Sequence, residues 1–291
     1  MESKDQRESS SEWIVRTIKA FVGNSPENSL KNDIGDNAWG EPLVGFSRGD
    51  DPFYETLKND IGPFYWTPIE IIKKTFPDLE VSQNQLSVIS WVLPQTEKTK
   101  TDHRKETTYP SERWARSRLF GEDFNNKLRQ YVVETLNASG MEAVAPMQSP
   151  FFERKDSEKY GFASTWSERH TAFVCGLGTF GLSDGLITPV GKAIRCGSVV
   201  ARVSLDPTPR PYANHQAYCL FYSNGICKEC IDRCPVEAIS EEGHDKVKCR
   251  DYLRQVTAPY VENQFGLKIH PCGLCQTGIP CESGIPLKED V

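Results

Sequence analysis

Ten cysteines occur in this 291-residue sequence, and eight of them fall within its last 73 residues: Cys219, Cys227, Cys230, Cys234, Cys249, Cys272, Cys275 and Cys281. Nothing else in the chain limits its fold so strongly, because thiols at this spacing either cross-link or grip metal. The first ten residues carry no apolar run or twin-arginine pair, so they do not read as an export signal. A cytoplasmic setting is therefore expected, where thiols stay reduced and clustered cysteines serve metal rather than disulfides. Cys227-Lys-Glu-Cys230-Ile-Asp-Arg-Cys234-Pro235 has the spacing C-x2-C-x3-C-P, and Cys272-Gly-Leu-Cys275 supplies a second C-x2-C. A [4Fe-4S] cubane takes four thiolates, so eight cysteines supply two clusters with none left over. Electron transfer is the first functional expectation.

The C-x2-C-x3-C-P run is the end of the bacterial ferredoxin pattern, in which the cysteine before proline ligates the other cluster. Asn224 stands where the first cysteine of that pattern belongs, and Cys219 is the nearest substitute. The crossover rule gives one cluster to Cys219, Cys227, Cys230 and Cys281, and the other to Cys234, Cys249, Cys272 and Cys275. Zinc is the alternative occupant, since paired C-x2-C units also suit four-thiolate tetrahedral sites. A three-cysteine cluster without Cys219 is a second alternative. Cys175 and Cys196 lie in apolar surroundings and are expected to pack as small hydrophobes.

With 25% charged and 38% hydrophobic residues the composition is that of an ordinary globule, and no run approaches the ~18 apolar residues of a membrane span. The net charge of −6 gives no basic face, so nucleic acid is unlikely as a partner; the basic cluster Lys98, Lys100, His103, Arg104 and Lys105 reads as a solvated loop. Helical spacing predicts a helix over 11–22 capped by Ser11, and the Gly-, Asn- and Pro-rich stretch 23–60 reads as mostly loop. Strands are expected at 86–94, 141–146 and 194–205, and helices at 111–138, with a break at Gly121, and at 164–175. Strands alternating with helices imply a layered α+β or α/β domain. The boundaries are an extension over 1–84 of unknown role, an α/β cofactor and substrate domain over 85–205 that takes in part of 11–84, and a cysteine-rich domain over 206–291.

The order of these segments resembles the cobalamin-dependent superfamily containing epoxyqueuosine reductase and the reductive dehalogenases. The stretches that carry the resemblance are 86–94, Glu112-Arg-Trp-Ala-Arg-Ser-Arg118, Ser167-Glu-Arg-His-Thr-Ala-Phe-Val-Cys-Gly-Leu-Gly-Thr-Phe-Gly-Leu182, Ala193-Ile-Arg-Cys-Gly-Ser-Val-Val200 and the two cysteine groups. They span roughly 85–291, and residues 1–84 match nothing in the family. The resemblance implies a nitroreductase-like, corrinoid-binding layer followed by a ferredoxin-like domain with two [4Fe-4S] clusters. It also implies a cobalamin cofactor and an external low-potential electron donor of the ferredoxin or flavodoxin type. Gly176, Gly178, Gly181 and Gly197, with Ser198, are the expected cofactor-binding residues, because glycine permits close approach of backbone to a flat macrocycle. A flavin is the alternative cofactor.

Departures from the family bear on the substrate. The general-acid aspartate of epoxyqueuosine reductase falls on Phe162. Tyr160 and His170 are the remaining candidate proton donors, His170 because an unperturbed imidazole titrates near neutrality. These features imply a reductase of a small organic molecule. An activator that reduces a partner's corrinoid and an epoxyqueuosine (tRNA) reductase are the alternatives.

Overall fold

The computed structural model describes residues 9–290; most of the polar opening stretch lies outside them. Its organising element is the strand β2, Ser87–Pro94, which is apolar on both alternating faces and buried almost throughout. Such a strand belongs at the centre of a sheet covered on both sides. It pairs with β1, Leu43–Arg48, and with β8, Ile194–Ala201; β3, Ala143–Val144, adds to the far edge of β8. All three pairings are antiparallel.

Val88, Val92 and Val200 face a layer made by α2, Phe53–Ile61, α3, Pro68–Thr75, and α7, Glu168–Val174. Ile89, Trp91, Leu93 and Val199 face α1, Ser10–Asn24, and α6, Glu122–Ala138. The register sets Trp91 opposite Gly197, where the indole fills the space a side chain would need: a Cβ at 197 would come within 2.5 Å of it. The indole Nε1 donates to Asn125 Oδ1 at 2.9 Å, and Asn125 Nδ2 donates to the Cys196 carbonyl.

Several local expectations are corrected. Residues 23–60 are loop over much of their length, as expected, but they also hold β1 and most of α2. Phe53, Tyr54, Leu57 and Ile61 lie at helical spacing, and that periodicity outweighs the polar composition around them. The first 84 residues therefore supply an edge of the sheet and part of both covering layers. The cap of α1 is Ser9 rather than Ser11, in a reciprocal box with Glu12. The long helix is α5, Glu112–Arg116, then a π-helical turn over 117–121, then α6. The break at Gly121 is thus the end of that turn, where Trp39 Nε1 donates to the Gly121 carbonyl. Residues 154–164 form a hairpin of β4, Arg154–Ser157, and β5, Gly161–Ser164, so α7 starts only at Glu168. The basic cluster is helix α4, Glu97–Arg104, not a loop. Its cations have partners: Lys98 on Asp36, Lys100 on Ser283 and Arg104 on Glu282.

Two short strands, β6, Thr179–Phe180, and β7, Leu186–Ile187, lead into β8. Beyond it the carboxy-terminal lobe is built from short pieces. These are α8, Leu220–Asn224, α9, Glu229–Asp232, the β9–β10 pair, Ile239–Ser240 and Gly243–His244, α10, Lys246–Tyr252, and α11, Ala258–Phe265. A second π-helical turn, 253–257, joins α10 to α11. The lobes are stitched together by Arg104 Nε on both Glu282 oxygens, at 2.9 and 3.0 Å, and by Arg233 Nη1 donating to the Glu106 carbonyl at 2.9 Å. Among the described residues no helix is long and apolar enough to cross a membrane.

Candidate functional site: two cysteine-lined cavities

All ten cysteines are free, and the eight of the carboxy-terminal lobe divide between two cavities. Cys219, Cys227, Cys230 and Cys281 line an enclosed space together with Leu182, Ile187 and Lys192. Cys234, Cys249, Cys272 and Cys275 line a second cavity of about 240 Å³ that lies between the lobes. The division coincides with the crossover partition expected from spacing, and Cys219 stands with the first four. Cys175 and Cys196 border neither cavity. Cys175 is buried against Ser47 and the Val88 carbonyl, and Cys196 sits in the apolar layer under the sheet.

The lobe folds so as to aim peptide N–H groups at sulfur. Ala238 N donates to Cys234 Sγ at 3.2 Å, and the peptide groups of Glu229 and Leu274 do the same for Cys227 and Cys272. Gly273, at φ +80°, lets the Cys272–Cys275 turn press on the Trp114 indole, which a Cβ there would meet at 2.1 Å. Burial, reinforced by neighbouring sulfurs, pushes the thiols of Cys230 and Cys272 up to about 12. A metal entering here must displace those protons. Among the described residues no three ligating side chains converge on one metal ion; the sulfurs surround spaces instead, as a cubane's four corners require. The donor set fits two iron–sulfur clusters.

The second cavity has a cationic wall. Arg118, on the first π-helical turn, and Arg195, on β8, border it together with Arg169. Glu122 serves three guanidiniums at once: Arg195 Nε lies 2.9 Å from Oε2, Arg118 Nη1 3.8 Å from the same oxygen, and Arg129 Nη1 3.1 Å from Oε1. The Arg195 Nε–H is not directed at its carboxylate neighbour and makes no hydrogen bond. Repulsion from Arg195, with burial, lowers Arg118 to about 10. Leu253, on the second π-helical turn, also borders the cavity. Turns of this kind recur at functional sites. Sequence reasoning missed these arginines; the only signal was Arg118 and Arg195 falling within the family-like stretches.

The expected cofactor-binding residues are not gathered at this cavity. A Cβ at Gly176 would meet the Pro209 carbonyl at 2.8 Å, and one at Gly178 the Ile187 carbonyl at 2.2 Å. Gly197 accommodates Trp91. Ser198 is buried, accepting from Trp166 Nε1 at 3.0 Å and donating to Glu168 at 2.5 Å. Gly181 borders the first cavity. These positions meet protein because the chain itself needs the close approach. A cavity of about 240 Å³ also falls below the ~300–1,000 Å³ of drug-sized sites, and a corrinoid is larger still. A corrinoid does not fit this arrangement, and no step is assigned to one.

The candidate proton donors lie elsewhere too. Tyr160 sits between β4 and β5, 37% exposed, and its hydroxyl donates to Asp60 Oδ2 at 2.5 Å. Burial and the Asp60 carboxylate raise its pKa, so it holds its proton. His170 shares a 2.7 Å hydrogen bond between Nδ1 and Ser167 Oγ and packs on Phe180. Burial, then Arg169 and Lys246, hold it at about 4, which leaves it neutral near pH 7. Phe162 is exposed under the Arg250 guanidinium, so no acid stands at that place.

The chain is thus a layered α/β lobe carrying an eight-cysteine lobe, and comparison with known proteins shows what it is similar to. Epoxyqueuosine reductase of Staphylococcus aureus is 26% identical over 280 residues, which is 90% of this chain and 67% of that protein. A catabolic reductive dehalogenase, solved with 3-bromo-4-hydroxybenzoic acid, superposes with a TM-score of 0.52 at 12% identity over 85% of this chain and 31% of its own. An epoxyqueuosine reductase solved with a tRNA stem loop gives a TM-score of 0.46 at 15% identity, over 94% of this chain and 67% of that one. No protein-family model matches. In sequence the chain is similar to an epoxyqueuosine reductase over most of its length, and in fold to a reductive dehalogenase. The match to the Staphylococcus protein reaches into the first 84 residues, which corrects the expectation that they match nothing. The name of the Staphylococcus relative stands against the expectation that nucleic acid is an unlikely partner.

Proposed function

We propose that this chain is an iron–sulfur oxidoreductase in which the residues around 206–291 hold two [4Fe-4S] clusters. They relay electrons to an acceptor bound between the lobes. The observation that carries the reading is the second cavity, where four cysteines and three arginines share one wall system. Electrons enter at the first quartet, beside which Tyr222 and Ile226 are exposed for a low-potential donor of the ferredoxin or flavodoxin type. They leave by the second quartet. With Arg118, Arg169 and Arg195 bordering the cavity, the acceptor favoured there is a small organic anion. The residues over 85–205, together with β1 and the helices before it, form the lobe that binds it. A second reading is the reduction of a modified tRNA nucleoside, which the name of the Staphylococcus relative favours; nucleosides from a deletion strain that accumulate an epoxide would select it.

Anaerobically purified protein should carry about eight iron and eight acid-labile sulfide per chain, with a paramagnetic signal on reduction. Cys227→Ser should lower the iron content by at least a third, and Cys175→Ser should leave it unchanged. Zinc without sulfide, or equal iron loss in the two variants, overturns the reading. Titration with cobalamin, followed by its visible spectrum, tests the misfit of the corrinoid directly.

A further inference from the structure

One charged group inside the molecule has no carboxylate to answer it. Lys192 is only 2% exposed, among Leu182, Ile187 and Ile279. Its stem lies against Gly185, where a Cβ would come within 2.9–3.0 Å of Cγ, Cδ and Cε. The backbone N–H of Lys192 donates to the Cys281 carbonyl at 2.8 Å and contacts the Glu282 carbonyl at 3.1 Å, which fixes the residue against the cysteine segment. Among the described residues no carboxylate pairs with the ammonium. An ammonium buried without an anion costs several kcal/mol and normally loses its proton. Lys192 lines the same space as Cys219, Cys227, Cys230 and Cys281, so an anionic four-thiolate cluster held there is the charge that answers it.

We propose that Lys192 is the internal counter-cation of the relay, fixing the reduction potential of the cluster held by Cys219, Cys227, Cys230 and Cys281. This rests on the two-cluster reading above. One electron from a low-potential donor makes that cluster one unit more negative. A fixed positive charge in a dry surrounding favours the more negative state, and the potential of an iron–sulfur cluster follows its charge environment. Lys192 thereby makes the entry cluster easier to reduce than the same four sulfurs would without it.

The test is a redox titration followed by paramagnetic resonance, on the whole protein with its clusters. Lys192→Met should lower one cluster's reduction equilibrium constant at least tenfold, about 59 mV for a one-electron couple. The other cluster should move less, and Lys192→Arg should stay close to wild type. Unmoved potentials in Lys192→Met at full iron and sulfide overturn the proposal. If Lys192→Met loses its iron, Lys192→Arg decides: retained iron and potential support the role of charge, and equal loss assigns Lys192 to packing alone. Wild-type protein devoid of sulfide would instead overturn the cluster reading itself.

Discussion

At the residue scale, the imidazole of His170 shows how burial can convert a candidate proton donor into a pH-dependent weakness. Its pKa falls from 6.5 to about 4 on folding, because burial and then Arg169 and Lys246 disfavour the cation. The unfolded chain therefore binds a proton more readily than the folded one throughout that window. His170 contributes stability that is complete above about pH 6.5 and is lost as the pH falls toward 4. At about 1.4 kcal/mol per unit, discounted for partial exposure, the loss is roughly 2 kcal/mol. His170→Gln should flatten the urea midpoint between pH 6.5 and 4 relative to wild type. An unchanged slope would mean that other groups carry the acid sensitivity. His170 was visible in the sequence as a titratable group, but its depressed pKa was not, because that depends on what buries it. The cysteines were legible for the opposite reason. Four-thiolate ligation demands fixed spacing, so candidate ligands can be read from the chain, and the structure divides the eight as spacing does.

At the scale of elements, the Gly176–Gly181 segment carries the clearest misreading. Its glycines looked like room for a cofactor, yet Gly178 makes room for β7: a Cβ would lie 2.2 Å from the Ile187 carbonyl, which is backbone and cannot swing away. Gly181 would meet only the Ile187 Cδ1 methyl at 3.2 Å. Gly178→Ala should thus cost about 2–3 kcal/mol in urea unfolding, while Gly181→Ala costs under about 1. Equal costs would show that the turn yields as a unit and that the Ile187 contact does not set the requirement. The apolar strands were readable because β2 and β8 are buried on both faces and so form unbroken runs. β1 was not, because Leu43-Val-Gly-Phe46 is short and its neighbours are polar. Only the pairing of Leu43–Arg48 with β2 makes it a strand. The hairpin at 154–164 is exposed along most of β4 and β5 and has little apolar alternation to betray it.

For the whole molecule, the two lobes stand on different physics. The front lobe has apolar clusters on both faces of its sheet, each built from strands and helices without help from the eight cysteines. The cysteine lobe has nothing comparable. The cluster of buried residues at its centre is Leu182, Ile187, Cys219, Cys230 and Ile239, and the first two of these belong to the front lobe. What would be core in another small domain is here a set of sulfurs around cavities. The free energy of filling them is then folding free energy, as in small metal-stabilised domains generally. Arg104 on Glu282 and Arg233 on Glu106 hold the lobes together, but polar stitches between partly exposed groups do not replace an interior. Oxidative stripping of iron with EDTA should therefore expose Arg250, Arg254 and Lys268 to trypsin within minutes. The front lobe should survive as a resistant fragment ending near the proline-rich stretch at Pro207–Pro211. Gel and mass analysis of the digest decides the matter. If stripped protein is cut at the same rate as the iron-loaded form, the carboxy-terminal lobe has a core of its own and metal is not its scaffold.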